Sequence, residues 1–416
     1  MRLLIVSQYF WPENFRINDM AVQLVARGHE VTVLCGTPNY PGGRIFAGFG
    51  WFRRTRERWN GVEIVRAPVV PRGRGSKLGL AANYLSYALT ASLFGPLRCR
   101  GRYDAILMFQ MSPVTMGVAA AAMRLAKRAP VLFWVQDLWP ESLVAAGAVR
   151  SRWLLWPVDR LVRWLYHASE YVLIQSRAFR AHVESRGVSA SRIRYFPNSA
   201  ESLYVPLGSE AAHPALAAIP VGLRVMFAGN LGSVQDLPTI LAAAERTREF
   251  PDVQWLLVGD GSMRAWVHAE TARRGLGATV RMLGQFPVQE MPHLFAGADA
   301  LLVTLRRDPI LALTIPSKVQ SYLASAKPII AALDGEGAAV VAESGAGVCV
   351  PPEDPAALAA SVLELRALDP ARRAEMGRRG RAYYLAHFER DMLMARFEAW
   401  CAELAGQAAL RNVNSA

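Results

Sequence analysis

The segment FAGNLGSVQDLPTILAAAE, residues 227–245, has the layout of a phosphate-binding turn but lacks a cation. A short apolar stretch runs into Gly229, and helical periodicity begins near Leu237 after a polar turn. Turns of this kind, between a strand and a helix, present free backbone N–H groups to a phosphate. Because no lysine or arginine lies between Gly229 and Arg246, another segment must supply the charge if this turn binds an anion.

The segment TIPSKVQSYLASAKP offers a candidate for that charge. Pro316 suits the first position of a helix, which places Ser317 and Lys318 in the first turn. A cation there opposes the helix dipole, but a docked diphosphate would use both the free N–H groups and the ammonium. We therefore predict that Lys318, together with Arg306 or Arg307, neutralises a diphosphate. A solvated lysine at a helix start is the alternative.

A second glycine turn, VGDGS, follows another apolar stretch. Gly259 and Gly261 permit close approach of the backbone to a ligand, and Asp260 can accept a hydrogen bond from a base or a ribose hydroxyl. Glycine turns after strands are common, so a purely structural turn is the alternative.

Two polar segments of the first half also follow apolar stretches. QYFWPENFRIND contains Glu13, Arg16 and Asn18, and WVQDLWPES contains Asp137. We predict Glu13 and Asp137 as catalytic candidates, with Asp137 as the base or the contact of a substrate hydroxyl. Arg16 indicates an anionic group on one of two substrates. Asn18 is equally well explained as a helix N-cap, and Asp137 as a cap of the following turn.

Strands and helices alternate along the chain in two series, which predicts two doubly wound domains with parallel sheets. We expect domains over 1–205 and 206–388, a linker within 199–220, and a last helix from 389 to 405 that crosses back to the first domain. In such sheets ligands bind at the carboxyl ends of the strands, so the cleft between the domains is the expected site. The predicted strands are 3–7, 30–35, 63–67, 105–109, 131–135, 171–174, 193–196, 223–228, 254–258, 279–283, 300–303, 328–331 and 347–350.

One connection, residues 36–61, is too long for a plain loop of a compact domain. It mixes turn residues, aromatic residues and five arginines: Arg44, Arg53, Arg54, Arg56 and Arg58. Connections of this length are usually functional or mobile.

Charge is divided unevenly between the two halves of the 416-residue chain, whose net charge is +13. Residues 1–205 carry 27 Lys and Arg against 12 Asp and Glu, whereas residues 206–416 carry 20 against 22. A basic half indicates an anionic partner such as nucleic acid, a phospholipid surface or a phosphorylated substrate. An arginine-rich surface without a partner is the alternative. Four scattered cysteines argue against a disulfide framework and a structural zinc site.

Two segments of the basic half have membrane-like composition. Residues 78–97 contain no charged side chain, which fits a buried helix or a helix that dips into one leaflet. A membrane span fits less well, because the segment contains Asn, Ser, Gly and Pro. Residues 150–167 combine four arginines with Trp153, Trp156 and Trp164, the composition of an interfacial helix. An ordinary amphipathic helix that covers the sheet is the alternative.

Several phrases resemble the retaining family 4 glycosyltransferases, in the branch that builds bacterial capsule and O-antigen and includes the L-fucosamine transferases. They are SQYFWPENFRIND, VQDLWPES and RIRYFPNS in the first half, and AGNLGSVQDL, WLLVGDGSM and ASAKPIIAALDGEG in the second. The resemblance covers roughly residues 1–400. It implies the two-domain GT-B fold, with the donor nucleotide sugar bound by the second domain.

The sequence departs from the family at several positions. Asn230 and Gln235 stand where most members carry an arginine and a lysine, and Leu313 and Ser321 stand where the family has a glutamate pair. By position, the resemblance assigns Asn230, Gln235 and Ser321 to the donor. It also places Phe286 against the nucleotide base, although core packing explains that ring nearly as well. A further departure is Gln136, which replaces a histidine.

The resemblance implies transfer of an N-acetylated or deoxy hexose from a UDP-sugar to a polyprenyl-diphosphate-linked acceptor, at the cytoplasmic face of the plasma membrane. We expect no cofactor and no metal, because no D-x-D carboxylate pair appears in a plausible loop. An anionic membrane surface is an expected partner, and nucleic acid is not. A non-hydrolysing nucleotide-sugar epimerase and a non-catalytic protein that binds anions or nucleic acid are the alternatives.

Overall fold

The computed structural model describes residues 1–73, 76–145, 149 and 151–414. The chain divides into two compact units. The first unit comprises Met1–Pro197 and Leu393–Ala416, and the second comprises Asn198–Met392. Each unit is built on one largely parallel sheet, as the alternation of strands and helices predicts.

The first unit has an eight-stranded sheet in the order β3-β4-β2-β1-β5-β6-β7-β8. The central strands are buried along their whole length, as expected where helices cover both faces of a parallel sheet. The strands are β1 Arg2–Val6, β2 Glu30–Gly36, β3 Arg56–Trp59, β4 Val62–Ala67, β5 Ala105–Gln110, β6 Val131–Val135, β7 Tyr171–Ile174 and β8 Ile193–Tyr195.

Strand β3 is a correction to the expected long loop, because it lies within residues 36–61. It pairs antiparallel with β4 through a tight turn at Asn60 and Gly61, both of which have positive φ. Two of the five loop arginines therefore lie on a strand. Arg56 is one of them, and its side chain pairs with Glu63 on β4.

Helices of the first unit connect the parallel strands. They are α1 Arg16–Ala26, α2 Lys77–Arg98, α3 Gly117–Lys127, α4 Glu141–Ala145, α5 Arg152–Ala168 and α6 Phe179–Glu184. Arg150, at the start of the predicted interfacial segment, lies outside the described residues. Among the described helices, none combines the length and the apolar composition that crossing a bilayer needs.

The second unit has a six-stranded parallel sheet in the order β11-β10-β9-β12-β13-β14. Buried apolar side chains lie on both of its faces. Its strands are β9 Leu223–Ala228, β10 Val253–Val258, β11 Val280–Gly284, β12 Ala300–Thr304, β13 Ile329–Ala332 and β14 Gly347–Val350. Its helices are α7 Leu237–Arg246, α8 Arg264–Arg273, α9 Met291–Ala296, α10 Ser317–Ala324, α11 Glu336–Ser344, α12 Pro355–Ala367 and α13 Pro370–His387.

The last helix, α14, runs from Arg390 to Asn414 and is longer than the sequence predicts. From Leu393 onward it belongs to the first unit. Glu398 accepts hydrogen bonds from Arg27 at 2.7 Å and lies 2.9 Å from His29. These contacts attach the end of the chain to the end of α1.

Candidate active site

Two glycine turns of the second unit lie side by side at the carboxyl ends of neighbouring strands. The Gly229 N–H donates to the Val258 carbonyl at 2.9 Å, and the Gly259 N–H donates to the Gly284 carbonyl at 2.8 Å. Both glycines have positive φ, and a Cβ on Gly259 would overlap the Gly229 carbonyl oxygen. The turns approach this closely because neither glycine has a side chain.

The second turn holds Asp260 in a local arrangement. Its carboxylate accepts from the Gly261 N–H at 2.8 Å and lies 3.6 Å from the guanidinium of Arg264 on α8. A Cβ on Gly261 would come within 2.6 Å of the Leu231 carbonyl oxygen. The carboxylate is about half exposed and can accept a further hydrogen bond from a ligand.

Lys318 reaches from the first turn of α10 to the turn after β9. Its ammonium donates to the side-chain oxygen of Gln235 and lies 4.0 Å from the centre of the Phe227 ring. A Cβ on Gly229 would come within 2.6 Å of Lys318 Cε, so the missing side chain of this glycine makes room for the lysine. The structure thus brings together Lys318, Gly229 and Gln235, three residues that the sequence assigns to the donor.

The environment of Lys318 changes its ionisation. The residue is half-buried, and burial of the ammonium lowers the pKa of Lys318 to about 7. A desolvated amine of this kind regains its proton when an anion binds beside it. The lysine can therefore neutralise a phosphate that docks on the turn.

Tyr322 and Thr304 position this arrangement, and the sequence analysis does not single them out. The Tyr322 hydroxyl accepts from the Ala228 N–H at 3.2 Å, which fixes α10 to the end of β9. The Thr304 hydroxyl donates to the Gln235 carbonyl at 2.5 Å. Tyr322 lies four residues after Lys318 on one helix face, which is the signal that identifies it.

The remaining donor-side candidates take different positions. Ser317 is exposed at the start of α10. Ser321 is buried, and its hydroxyl donates to the Ser317 carbonyl at 3.3 Å. Phe286 packs against the core and meets the ring of His213 edge-on at 5.0 Å. Arg306 is exposed. Its N–H donates to the Val234 carbonyl at 3.0 Å, so its main chain supports the turn.

Asn230 follows Gly229 and is exposed. Helix α10 begins at Ser317, one residue later than the sequence predicts, with Pro316 in the capping position. Because the first N–H groups of a helix lack helical partners, the Lys318 N–H is a candidate to meet an anion.

In the first unit, Asp137 lies two residues beyond β6, at the carboxyl edge of the sheet. It is half-buried, and burial raises its pKa to about 7. The neighbouring Gln136 N–H donates to the Gln110 carbonyl at 3.0 Å, which continues the pairing of β6 with β5. A carboxyl group whose pKa lies near 7 can accept a proton at neutral pH.

Glu13 has a different environment. It is 2% exposed, and one carboxylate oxygen accepts from the N–H groups of Asn39 and Tyr40, each at 2.7 Å. Burial raises the pKa of Glu13 to about 7 despite these bonds. The contacts hold the loop after β2, so the geometry gives Glu13 a positioning role.

Asn18 is not a helix cap, because α1 begins at Arg16 and Phe15 takes the capping position. The Asn18 amide donates to the Glu13 carbonyl at 2.7 Å and supports the segment between β1 and α1. Arg16 is half-buried in the first turn of α1. Within the described part of the chain, no three His, Cys, Asp or Glu side chains lie together as a metal site requires.

Two parallel-sheet units of this kind define the GT-B fold of glycosyltransferases. The structure is similar to sucrose-phosphate synthase from Thermosynechococcus elongatus (TM-score 0.72, 17% identity, 98% of this chain and 99% of that one). It is also similar to HepE from Anabaena in complex with UDP and glucose (TM-score 0.65, 17% identity, all of both chains).

The sequence comparisons agree with the fold. Residues 14–199 match the model of the Glycosyl transferase 4-like domain, and residues 222–367 match that of Glycosyl transferases group 1. Together, the two matches and the fold show a glycosyltransferase.

Two relatives align over most of this chain. The "Probable glycosyltransferase WbjE" of Pseudomonas aeruginosa is 28% identical over 71% of this chain and 75% of its own length. The "Putative colanic acid biosynthesis glycosyl transferase WcaI" of Escherichia coli K12 is 26% identical over 87% of this chain and 91% of its own length.

Proposed function

We propose that this glycosyltransferase moves a sugar from a UDP-sugar to a polyprenyl-diphosphate-linked acceptor, with retention of anomeric configuration, in capsule, O-antigen or exopolysaccharide assembly. The observation that carries the proposal is the position of Lys318. Its side chain lies across Gly229 and donates a hydrogen bond to Gln235, where a diphosphate would dock. HepE, which shares the fold, was solved with UDP. WcaI, whose name places it in colanic acid biosynthesis, supports the polysaccharide pathway.

The donor that we propose is an N-acetylated or deoxy hexose, because the sequence resembles the branch that includes the L-fucosamine transferases. The acceptor places the enzyme at the cytoplasmic face of the plasma membrane, held there peripherally. The basic first half of the chain supports an anionic surface as its partner.

In the reaction, the bond between the anomeric carbon and the diphosphate breaks, and a bond from that carbon to the acceptor oxygen forms on the same face. The hydroxyl proton of the acceptor passes to the leaving diphosphate. Lys318 and the backbone N–H groups beside it stabilise the negative charge that grows on the leaving group. Asp137 contacts and orients the acceptor hydroxyl.

Mass spectrometry of reactions with a panel of UDP-sugars, with and without a polyprenyl-diphosphate glycolipid, tests the proposal. We expect the lipid to gain one sugar residue with release of UDP. An epimerised sugar without transfer would identify an epimerase instead. If the protein turns over none of the nucleotide sugars but binds nucleic acid, a non-catalytic role is favoured.

Transfer is expected to survive EDTA. Lys318 and the start of α10 neutralise the charge of the diphosphate, which a divalent cation does in other transferases. The measurement is the initial rate before and after chelation. Loss of the rate on chelation and recovery with magnesium or manganese would show that a metal takes part.

Binding to anionic vesicles is expected to weaken as salt rises. Charges at a surface are screened over about 8–10 Å at physiological ionic strength, so the attraction of the basic half should fall at high salt. Co-sedimentation at several salt concentrations measures the effect. Equal binding to neutral and anionic vesicles, unchanged by salt, contradicts the electrostatic part of the proposal.

A further inference from the structure

Helix α2 of the first unit exposes a ridge of leucines. Leu78 and Leu97 are 84% and 77% exposed, and the three leucines between them are 59–62% exposed. The ridge comprises Leu78, Leu85, Leu89, Leu93 and Leu97, which the spacing places along one side of the helix. At 1.5 Å per residue it runs for about 28 Å. Apolar side chains exposed in a continuous row mark an interaction surface.

Buried polar contacts on the opposite side of α2 keep the leucine ridge facing outward. Asn83 is fully buried, accepts from the Gln8 amide at 2.7 Å and donates to the Val70 carbonyl at 2.6 Å. The hydroxyl of Tyr87, also fully buried, donates to the Leu34 carbonyl at 2.9 Å. Rotation of α2 to bury its leucines would leave these polar groups without partners in the core, which is costly.

Helix α5 adds an aromatic and cationic surface to the same layer. Trp153 is 89% exposed and Trp156 is 66% exposed, and the Arg160 guanidinium lies 5.8 Å from the Trp156 ring. Both α2 and α5 pack against α3, so the three helices form one layer of the first unit. Tryptophan and arginine on an exposed helix are typical of the interface between lipid and water.

The charge of this layer selects its partner. Within the described residues of α2, α3 and α5, Asp159 is the sole carboxylate, and it pairs with Arg163 at 2.7 Å and Arg186 at 3.2 Å. The same helices carry seven cations, of which Arg124 pairs with Glu170 at 2.8 Å. They are Lys77, Arg98, Arg124, Lys127, Arg152, Arg160 and Arg163. Two copies of so basic a face would repel each other, whereas an anionic surface would attract it.

We propose that this layer docks on an anionic phospholipid leaflet, with the leucine ridge of α2 inserted among the acyl chains and the tryptophans of α5 at the headgroup level. The inference deepens the proposed function, because the lipid-linked acceptor lies in that leaflet. Asn83 hydrogen-bonds Gln8, which lies just beyond β1 in the segment that carries Glu13. Docking of α2 therefore holds the segment that carries Glu13 near the membrane.

Vesicle flotation of the full chain tests the proposal without requiring activity. Vesicles of phosphatidylcholine with phosphatidylglycerol are compared for the wild type, the double variant Leu89→Ser/Leu93→Ser, and the control Val221→Ser/Leu385→Ser. The control removes two exposed apolar side chains of the second unit. We expect the ridge variant to bind about 10²-fold more weakly, which corresponds to about 3 kcal/mol for two buried leucines. The control should bind as the wild type does.

Equal binding of the ridge variant and the wild type overturns the proposal. So does a wild-type dimer in light scattering that the ridge substitutions dissociate, because the ridge then serves a second copy. Melting curves show whether each variant is folded, and Trp153→Ala/Trp156→Ala tests the second helix independently. If docking depends on the ridge but no sugar is transferred, the docking surface stands and the proposed function fails.

Discussion

Replacement of Lys318 with alanine is expected to lower kcat for sugar transfer about 10²-fold, on the order of 3 kcal/mol in the transition state. The ammonium lies across Gly229 and against Gln235, where the leaving diphosphate would dock. Because the charge of the leaving group grows as the glycosidic bond breaks, the interaction is strongest in the transition state and its loss appears in kcat. Steady-state rates with a saturating donor measure the effect.

Two variants separate the charge of Lys318 from its packing. Lys318→Met keeps an unbranched side chain over the Phe227 ring but removes the charge, so it should be as impaired as the alanine variant. Gln235→Lys in the alanine background should restore part of kcat, because Gln235 contacts the same ammonium. If the methionine variant transfers sugar at the wild-type rate, the charge comes from elsewhere, with Arg306 or Arg16 as the next candidates.

The stability of these variants provides a control. The pKa of Lys318 is about 7 in the folded protein and 10.5 for the free side chain, so the unfolded chain binds the proton more tightly. Burial of the charged amine therefore destabilises the fold, most strongly below pH 7, and this cost disappears as the pH rises towards 10.5. Lys318→Met is expected to melt at or above the wild-type temperature, with the largest gain below pH 7.

Replacement of Asp137 with asparagine is expected to lower kcat/KM for the acceptor about 10²-fold, because the ionised carboxylate accepts a hydrogen bond from the acceptor hydroxyl and orients it. In the wild type, kcat/KM should fall as the pH drops through about 7, because the carboxyl group becomes protonated there. Asparagine cannot accept a proton, so this acidic limb should vanish in the variant. The pH profile measures both effects.

Stability again distinguishes function from structure for Asp137. Its pKa is raised from 3.8 to about 7 on folding, so ionisation of the buried carboxyl group destabilises the fold above pH 7, and the cost is absent below pH 4. Asp137→Asn should therefore be more stable than the wild type at pH 8 while it is less active. A variant that is both unstable and inactive would instead indicate that Asp137 caps the following turn.

Much of the fold follows from the sequence. Each of the thirteen predicted strands lies within one residue of its expected ends, because buried parallel strands are short apolar runs bounded by turns. The sequence does not predict strand β3, because its charged residues, in the segment RERW, resemble those of a solvated loop. The Asn60–Gly61 pair that follows it is a strong hairpin signal and would have identified the strand.

The candidate site also has features that the sequence predicts and features that it does not. The place of Lys318 in the first turn of α10 is predictable, because Pro316 marks the start of that helix. Its role in binding an anion stays a prediction. The positioning role of Glu13 is not predictable, because it depends on N–H groups of Asn39 and Tyr40, which lie far along the chain. The leucine ridge of α2 is also hidden in the sequence. A charge-free segment does not show which of its sides is buried.

Isothermal titration of UDP into the wild type at pH 8, in buffers of different ionisation enthalpy, tests the role of Lys318 most directly. The terminal phosphate of UDP, with a pKa of ~6, is already ionised at this pH. Lys318, with a pKa of about 7, is mostly neutral until the diphosphate binds. We expect uptake of about one proton per UDP bound, and none for Lys318→Arg, whose guanidinium stays charged. Binding of UDP without proton uptake, or with the same uptake in the arginine variant, would contradict it.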